Sequence, residues 1–253
     1  MSLSARHIPI TIRTLLANGD YATLFSISAF CDALFGQFWV TAGPQVKIKV
    51  EERVLPLLEG RVRDGEAQDT VVGTPVGGTV IEIGAGSGNW LDVFHKIHTD
   101  ASGRDGSGET VSAAGGVRRR GSPEGGLKKI YGVEPHPQSA AALRQRVKEV
   151  GIEDIYEVIP LGIESLSDPS YPYPTTIEPG SVDCIVSILC LCSIPDQEKH
   201  IKELYKLLKP GGRWYVFEHV RATRGGLPLA IYQRESPTSL GSQSHSHEVE
   251  DGY

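Results

Sequence analysis

The sequence predicts an α/β fold: a doubly wound, mostly parallel sheet with helices on both faces. Three observations carry this. Strand-length apolar runs alternate with helical apolar faces between residues 79 and 220. One run, Thr79–Ile83, leads directly into a loop with glycines at 84, 86 and 88. Val182–Leu191 is apolar almost without interruption, as a strand buried on both faces should be.

The elements follow in order. Over Ala22–Ala42, Leu24, Ile27, Cys31, Leu34 and Phe38 recur at helical spacing, with Ser28, Asp32 and Gly36 opposite. The favoured reading is a helix packed on the domain or capping its site. Peripheral contact with a membrane surface is the alternative, weakened because the polar face lacks Lys and Arg. Asp32, Gly36 and Gln37 make it a poor spanning helix. Val46–Leu58 reads as a short helix stopped at Gly60, and 61–78 as a polar connector. Thr79–Ile83 is the first core strand, followed by a helix over about 89–98. Ile130–Val133 is the second strand. Ala140, Leu143, Val147 and Val150 line one face of the next helix, which Gly151 ends. Tyr156–Leu161 is the third strand, and 168–180 a proline-rich loop. Val182–Leu191 is the fourth strand. Ile201, Leu204, Tyr205 and Leu208 mark a helix that Lys209-Pro210-Gly211-Gly212 breaks, and Arg213–Val220 is the fifth strand. Ligands of such sheets sit at the carboxyl ends of the strands.

Three parts emerge: an N-terminal helical segment over 1–43, a core domain over 44–233, and a tail over 234–253. Residues 100–126 are rich in Gly, Ser and charge without apolar periodicity, and read as a disordered insertion. The Ser- and His-rich tail reads as disordered too, so the pair His245 and His247 is not taken as a metal site.

Composition narrows the partners. A formal net charge of −6 over 253 residues argues against nucleic acid, and the run Arg118–Arg120 reads as a solvated loop. The four cysteines, Cys31, Cys184, Cys190 and Cys192, form no C-x-x-C and read as reduced core residues of a cytoplasmic chain. No metal constellation is visible.

The glycine spacing selects the ligand. A dinucleotide fingerprint counted from Gly84 needs glycine at 89, where Asn89 stands. The observed pattern, Glu82-x-Gly84-x-Gly86-x-Gly88, resembles S-adenosylmethionine (SAM)-dependent methyltransferases. That resemblance assigns roles. Gly84, Ala85, Gly86, Ser87 and Gly88 bring bare backbone to the methionyl end, and Glu82 accepts from its ammonium. Glu134, followed by Pro135, binds the ribose diol. This acid belongs about 20 residues past the loop, a separation restored once the insertion is removed. Gly162, Ile163 and Glu164 meet the adenine. Ile188 and Leu189 line the sulfonium side.

The blocks VIEIGAGSG, YGVEP, LGIESL, SVDCIVSILCLCSIPDQ and LLKPGGRWYVFEHV are together similar to the class I SAM-dependent methyltransferases of the type-11, ubiquinone/menaquinone methyltransferase-like group. The last two resemble the small membrane-associated alkyl-thiol methyltransferases. The resemblance implies a Rossmann-like class I methyltransferase fold with SAM as cofactor. The acceptor would be a small lipophilic molecule bearing a thiol or hydroxyl, secondary metabolites included. A catalytically weak subunit acting through SAM or partner binding is the alternative. The catalytic base is open; Glu218 and His219, at the end of the fifth strand, are the weak candidates. The family continues past that strand with a helix and an antiparallel pair, where this chain has a polar tail. The fold therefore reads as truncated after the fifth strand, or as completed by a partner chain along that edge.

Overall fold

A computed structural model describes residues 3–104, 126–166 and 177–219. Its centre is a five-stranded sheet of β3 (Gly78–Ile83), β4 (Leu127–Val133), β5 (Tyr156–Ile159), β6 (Val182–Ile188) and β7 (Leu208–Phe217). The strand order is β5-β4-β3-β6-β7, and all four pairings are parallel. The chain builds outward from β3 through β4 and β5, then returns to the other side of β3 as β6. That reversal opens a crevice at the carboxyl end of β3, where the glycine loop lies.

Side-chain alternation on the strands divides the core in two. Val80 on β3 faces α4 (Leu91–Arg104), α5 (Pro137–Val150) and the end of α3 (Ile27–Leu58), in a cluster holding Leu58, Phe94 and Leu143. Ile81 and Ile83 face α6 (Gln197–Leu207), with Ile185, Leu204 and Leu207. Burial on both faces explains why β3 and β6 read as continuous apolar runs.

Several expectations need correction. The two helices expected on either side of Gly43 are one 32-residue helix, α3, with Pro44 inside it. Proline costs one backbone bond there, and packing on the core outweighs it. The expected domain boundary at 43/44 therefore falls within a helix. Ahead of it lie α1 (Leu3–Ala17) and α2 (Tyr21–Phe25). The connector after α3 holds a small hairpin, β1 (Val62–Arg63) with β2 (Glu66–Ala67). Asp64 and Gly65 turn it with φ of 52° and 80°, as an Asp-Gly pair favours. Helix α4 extends to Arg104, into the expected insertion, whose residues 105–125 lie outside the described residues. The third strand stops at Ile159 rather than Leu161. The fifth begins at Leu208 and ends at Phe217, because Asp183 pulls the Lys-Pro-Gly-Gly segment onto the sheet. Its carboxylate accepts from Lys209 Nζ at 2.8 Å and from the Thr79 N–H at 2.8 Å. Cys31 is exposed rather than core. The tail and the 234 boundary lie outside the described residues. No helix among the described residues is long and apolar enough to cross a membrane.

Candidate active site

The loop after β3 holds three glycines with different duties. At Gly84, φ is +63°, and a Cβ there would fall 2.5 Å from Cys190 Cβ. At Gly88 a Cβ would fall 2.6 Å from Leu91 Cδ1 and 3.1 Å from Leu143 Cδ1, so this glycine serves helix packing. At Gly86 a Cβ would meet nothing nearer than the Gly84 carbonyl at 3.9 Å. Its bare backbone faces open space.

That space is a cavity of about 870 Å³, within the usual range for small-molecule sites. It gathers Gly84, Ala85, Gly86 and Ser87 from the glycine loop, and Glu134 and Pro135 from the end of β4. Gly162, Ile163 and Glu164 come from the turn after β5, and Ile188 and Leu189 from the end of β6. Four separate segments of the chain thus converge on one crevice.

Glu134 is only 8% exposed. Its Oε2 accepts from the Gly86 N–H at 2.8 Å, and its Oε1 accepts from the His136 N–H at 2.9 Å. Burial raises its carboxyl above the ordinary value, and the two backbone N–H bonds pull the other way. Each oxygen keeps a further lone pair for a ligand.

Glu82 is placed differently from expectation. It is 2% exposed and does not line the cavity. Its Oε2 accepts from the Tyr156 hydroxyl at 2.5 Å, while Oε1 has no partner among the described residues. Burial pushes its carboxyl up to about 8; the Tyr156 bond opposes this and the nearby Glu134 adds to it. Glu82 therefore carries a proton at neutral pH and ties β3 to Tyr156 of β5 rather than meeting the ligand. Gly132 makes the pair possible, because a Cβ there would overlap the Tyr156 ring and hydroxyl.

The two base candidates also lie outside the cavity lining. Glu218 Oε1 accepts from the N–H groups of Cys190 at 3.1 Å and Leu191 at 3.2 Å. It thus caps the short 3-10 helix Leu191–Ser193. The chain turns into that cap at Leu189, held at φ +54°, a region that costs an L-residue about 1–2 kcal/mol. His219 is exposed, one residue beyond. The Cys190 thiol is pushed well up by burial and then by Glu218, so it is no thiolate nucleophile. Among the described residues no His, Cys, Asp and Glu cluster could hold a metal ion.

The periodicity of the sequence did not reveal which N-terminal side chains reach the site. Asp32, Phe35, Gly36 and Trp39 of α3 wall the cavity, as do Leu15 of α1 and Thr23 of α2. Lys47 of α3 grips Asp92 of α4 at 2.6 Å and lies over the Trp90 ring. His136 and Asn89 were missed too. Their only signal is two interior helix glycines, Gly36 and Gly43, spaced by seven.

Residues 63–239 match the methyltransferase domain family. The chain belongs to that family. A 43-residue stretch is 49% identical to the human thiol S-methyltransferase TMT1A, covering 17% of this chain and 18% of the relative. A 75-residue stretch is 31% identical to the ubiquinone/menaquinone biosynthesis C-methyltransferase UbiE of Enterobacter sp. (strain 638), covering 30% and 26%. The chain thus matches less than a third of the length of these curated relatives. Among solved structures, a Haemonchus contortus phosphoethanolamine N-methyltransferase 2 with S-adenosylhomocysteine (SAH) is 23% identical, with TM-score 0.35, covering 54% of this chain and 23% of that one. The cofactor of a methyltransferase domain of this kind is SAM, and the residues present fit it. The open backbone at Gly86 suits its amino-acid end, the paired oxygens of Glu134 its vicinal diol, and Ile163 its flat base.

Proposed function

We propose that the protein is a SAM-dependent methyltransferase acting on a small, lipophilic acceptor, with a thiol as the acceptor group. One observation carries this reading: a single cavity joins a polar floor, made by Glu134 and the Gly86 loop, to an apolar wall made by Leu15, Phe35, Trp39 and Ile194. Phe35 and Trp39 meet edge to face with centroids 6.0 Å apart, giving that wall a fixed aromatic surface.

SAM, when bound, supplies an electrophilic methyl group on a sulfonium. The chain's part is to orient the reactants. Glu134 would hold the sugar, and the strained turn at Leu189 would set the wall beside the reacting end. The α3 wall offers an apolar face to the acceptor, and holding two reactants in one orientation raises their encounter without further chemistry. A thiol near its own pKa needs little help from a base. That accords with a lining in which Glu218 and His219 take no part. The thiol S-methyltransferase TMT1A, to which part of the chain is similar, supports the same acceptor group.

The test has two stages. Calorimetry with SAM and SAH is expected to give saturable binding, and labelled SAM is expected to methylate apolar thiols in preference to phenols. No binding at millimolar SAM would sink the reading. Binding without turnover on any thiol or phenol would instead favour a subunit that uses the cofactor without transferring its methyl.

A further inference from the structure

We propose that His136 is a positioning residue that couples helix α3 to the cofactor-gripping carboxylate, with Gly36 and Gly43 as the notches that let the helix seat. The second half of this coupling rests on the SAM reading above; the seating itself does not.

Glycine inside a helix is unfavourable relative to alanine, yet α3 carries two, seven residues apart and so on one face. Both are buried. A Cβ at Gly36 would fall on the imidazole ring of His136, and a Cβ at Gly43 on the carboxamide of Asn89. The two guests come from different parts of the core: His136 is the residue before α5, and Asn89 lies between the glycine loop and α4. Helix α3 therefore presents bare backbone to one side chain from each ligand-holding segment, and a Cβ at either glycine has to displace that side chain.

His136 does more than fill a notch. Its Nε2 lies 2.8 Å from the carbonyl oxygen of Asp32. A carbonyl only accepts, so Nε2 carries the proton and donates. Asp32 is one helical turn before Gly36, so the same turn of α3 both slots and bonds the ring. From the other side, the backbone N–H of His136 donates to Glu134 Oε1, and Glu134 Oε2 accepts from Gly86. An unbroken path runs from α3 through His136 and Glu134 to the glycine loop. Lifting α3 frees the ring, and a free ring loosens the carboxylate. Cofactor affinity then depends on how well the N-terminal helix sits.

The experiment is a double-mutant cycle on Gly36→Ala and His136→Ala with two readouts. The first is the rate of tryptic cleavage at Arg13 of α1 in ligand-free protein, which reads seating alone. The second is SAH affinity by calorimetry, which reads the coupling. Gly36→Ala is expected to speed cleavage and to weaken SAH binding about tenfold, which corresponds to roughly 1.4 kcal/mol. In the His136→Ala background the same alanine is expected to have no further effect on either readout, because the ring it strikes is gone. A purely local effect of alanine on the helix, or a direct clash with ligand, predicts additive losses, and additivity would overturn the proposal. Unchanged cleavage in Gly36→Ala would overturn the seating. Faster cleavage with unchanged SAH affinity would overturn the coupling. Failure of the wild-type chain to bind SAH would remove the cofactor reading and leave the cleavage cycle to decide the seating. If Gly36→Ala does not fold, the cycle on Gly43→Ala and Asn89→Ala decides the seating, with about a threefold effect because the carboxamide can rotate aside, and SAH affinity of His136→Ala decides the coupling, unchanged affinity overturning it.

Discussion

Replacing Glu82 by glutamine isolates the buried proton beneath the glycine loop. Burial holds the Glu82 carboxyl near 8 in the folded protein, against 4.5 for a free glutamate. Between these values the folded chain keeps a proton that the unfolded chain releases. The sign follows: this group's stabilisation is complete below pH 4.5 and is lost as pH rises through about 8. The slope is about 1.4 kcal/mol per pH unit, so from pH 5.5 to 7.5 Glu82 alone removes roughly 3 kcal/mol. For a chain of this size that is about 6–12 °C in Tm. Glutamine mimics the protonated acid; its carbonyl accepts from Tyr156, and its amide stands where the acid proton was. It has nothing to ionise. Thermal unfolding followed across this pH window is therefore expected to show a Tm that falls more steeply in the wild type than in Glu82→Gln. Groups common to both proteins cancel in the difference, apart from the charge coupling between Glu134 and Glu82, which belongs to the effect being measured. The lowered carboxyls of Glu59 and Asp183 titrate below the window. Parallel curves would mean that Glu82 is ionised in the folded state, and the account of the Tyr156 pair would fail.

Two further substitutions test the site. Glu134→Gln turns an amide NH2 toward one of the two backbone N–H groups that Glu134 now accepts from and removes the charge proposed to grip the diol. SAH affinity by calorimetry is expected to fall about 10–100-fold, the loss of one or two charge-assisted bonds; an unchanged affinity would place the sugar elsewhere. Glu218→Gln keeps an oxygen for the N–H groups of Cys190 and Leu191. It is expected to leave kcat within about threefold while lowering Tm by a few degrees. A drop of about 10²-fold or more, as loss of a general base produces, would make Glu218 a catalytic residue after all.

The sequence by itself determined the sheet class, the loop after the first core strand, and the acid at the end of the second. Each is written in a few adjacent residues: glycines where backbone must lie bare, apolar runs where both faces are covered, and one carboxylate at a strand end. Their meaning does not depend on a distant partner. Only the tertiary structure decided what depends on one. Glu82 sits at the right place in the motif, but Tyr156, 74 residues away, bonds its carboxyl group, which stays out of the cavity. Glu218 ends up capping a turn 28 residues upstream. Gly43 and Pro44 look like a helix break, yet α3 runs through them because that stretch packs on the core, with Gly36 and Gly43 buried against His136 and Asn89. Local pattern fixes which backbone conformations are affordable; which side chains face the ligand is set by packing between segments that no spacing along the chain encodes.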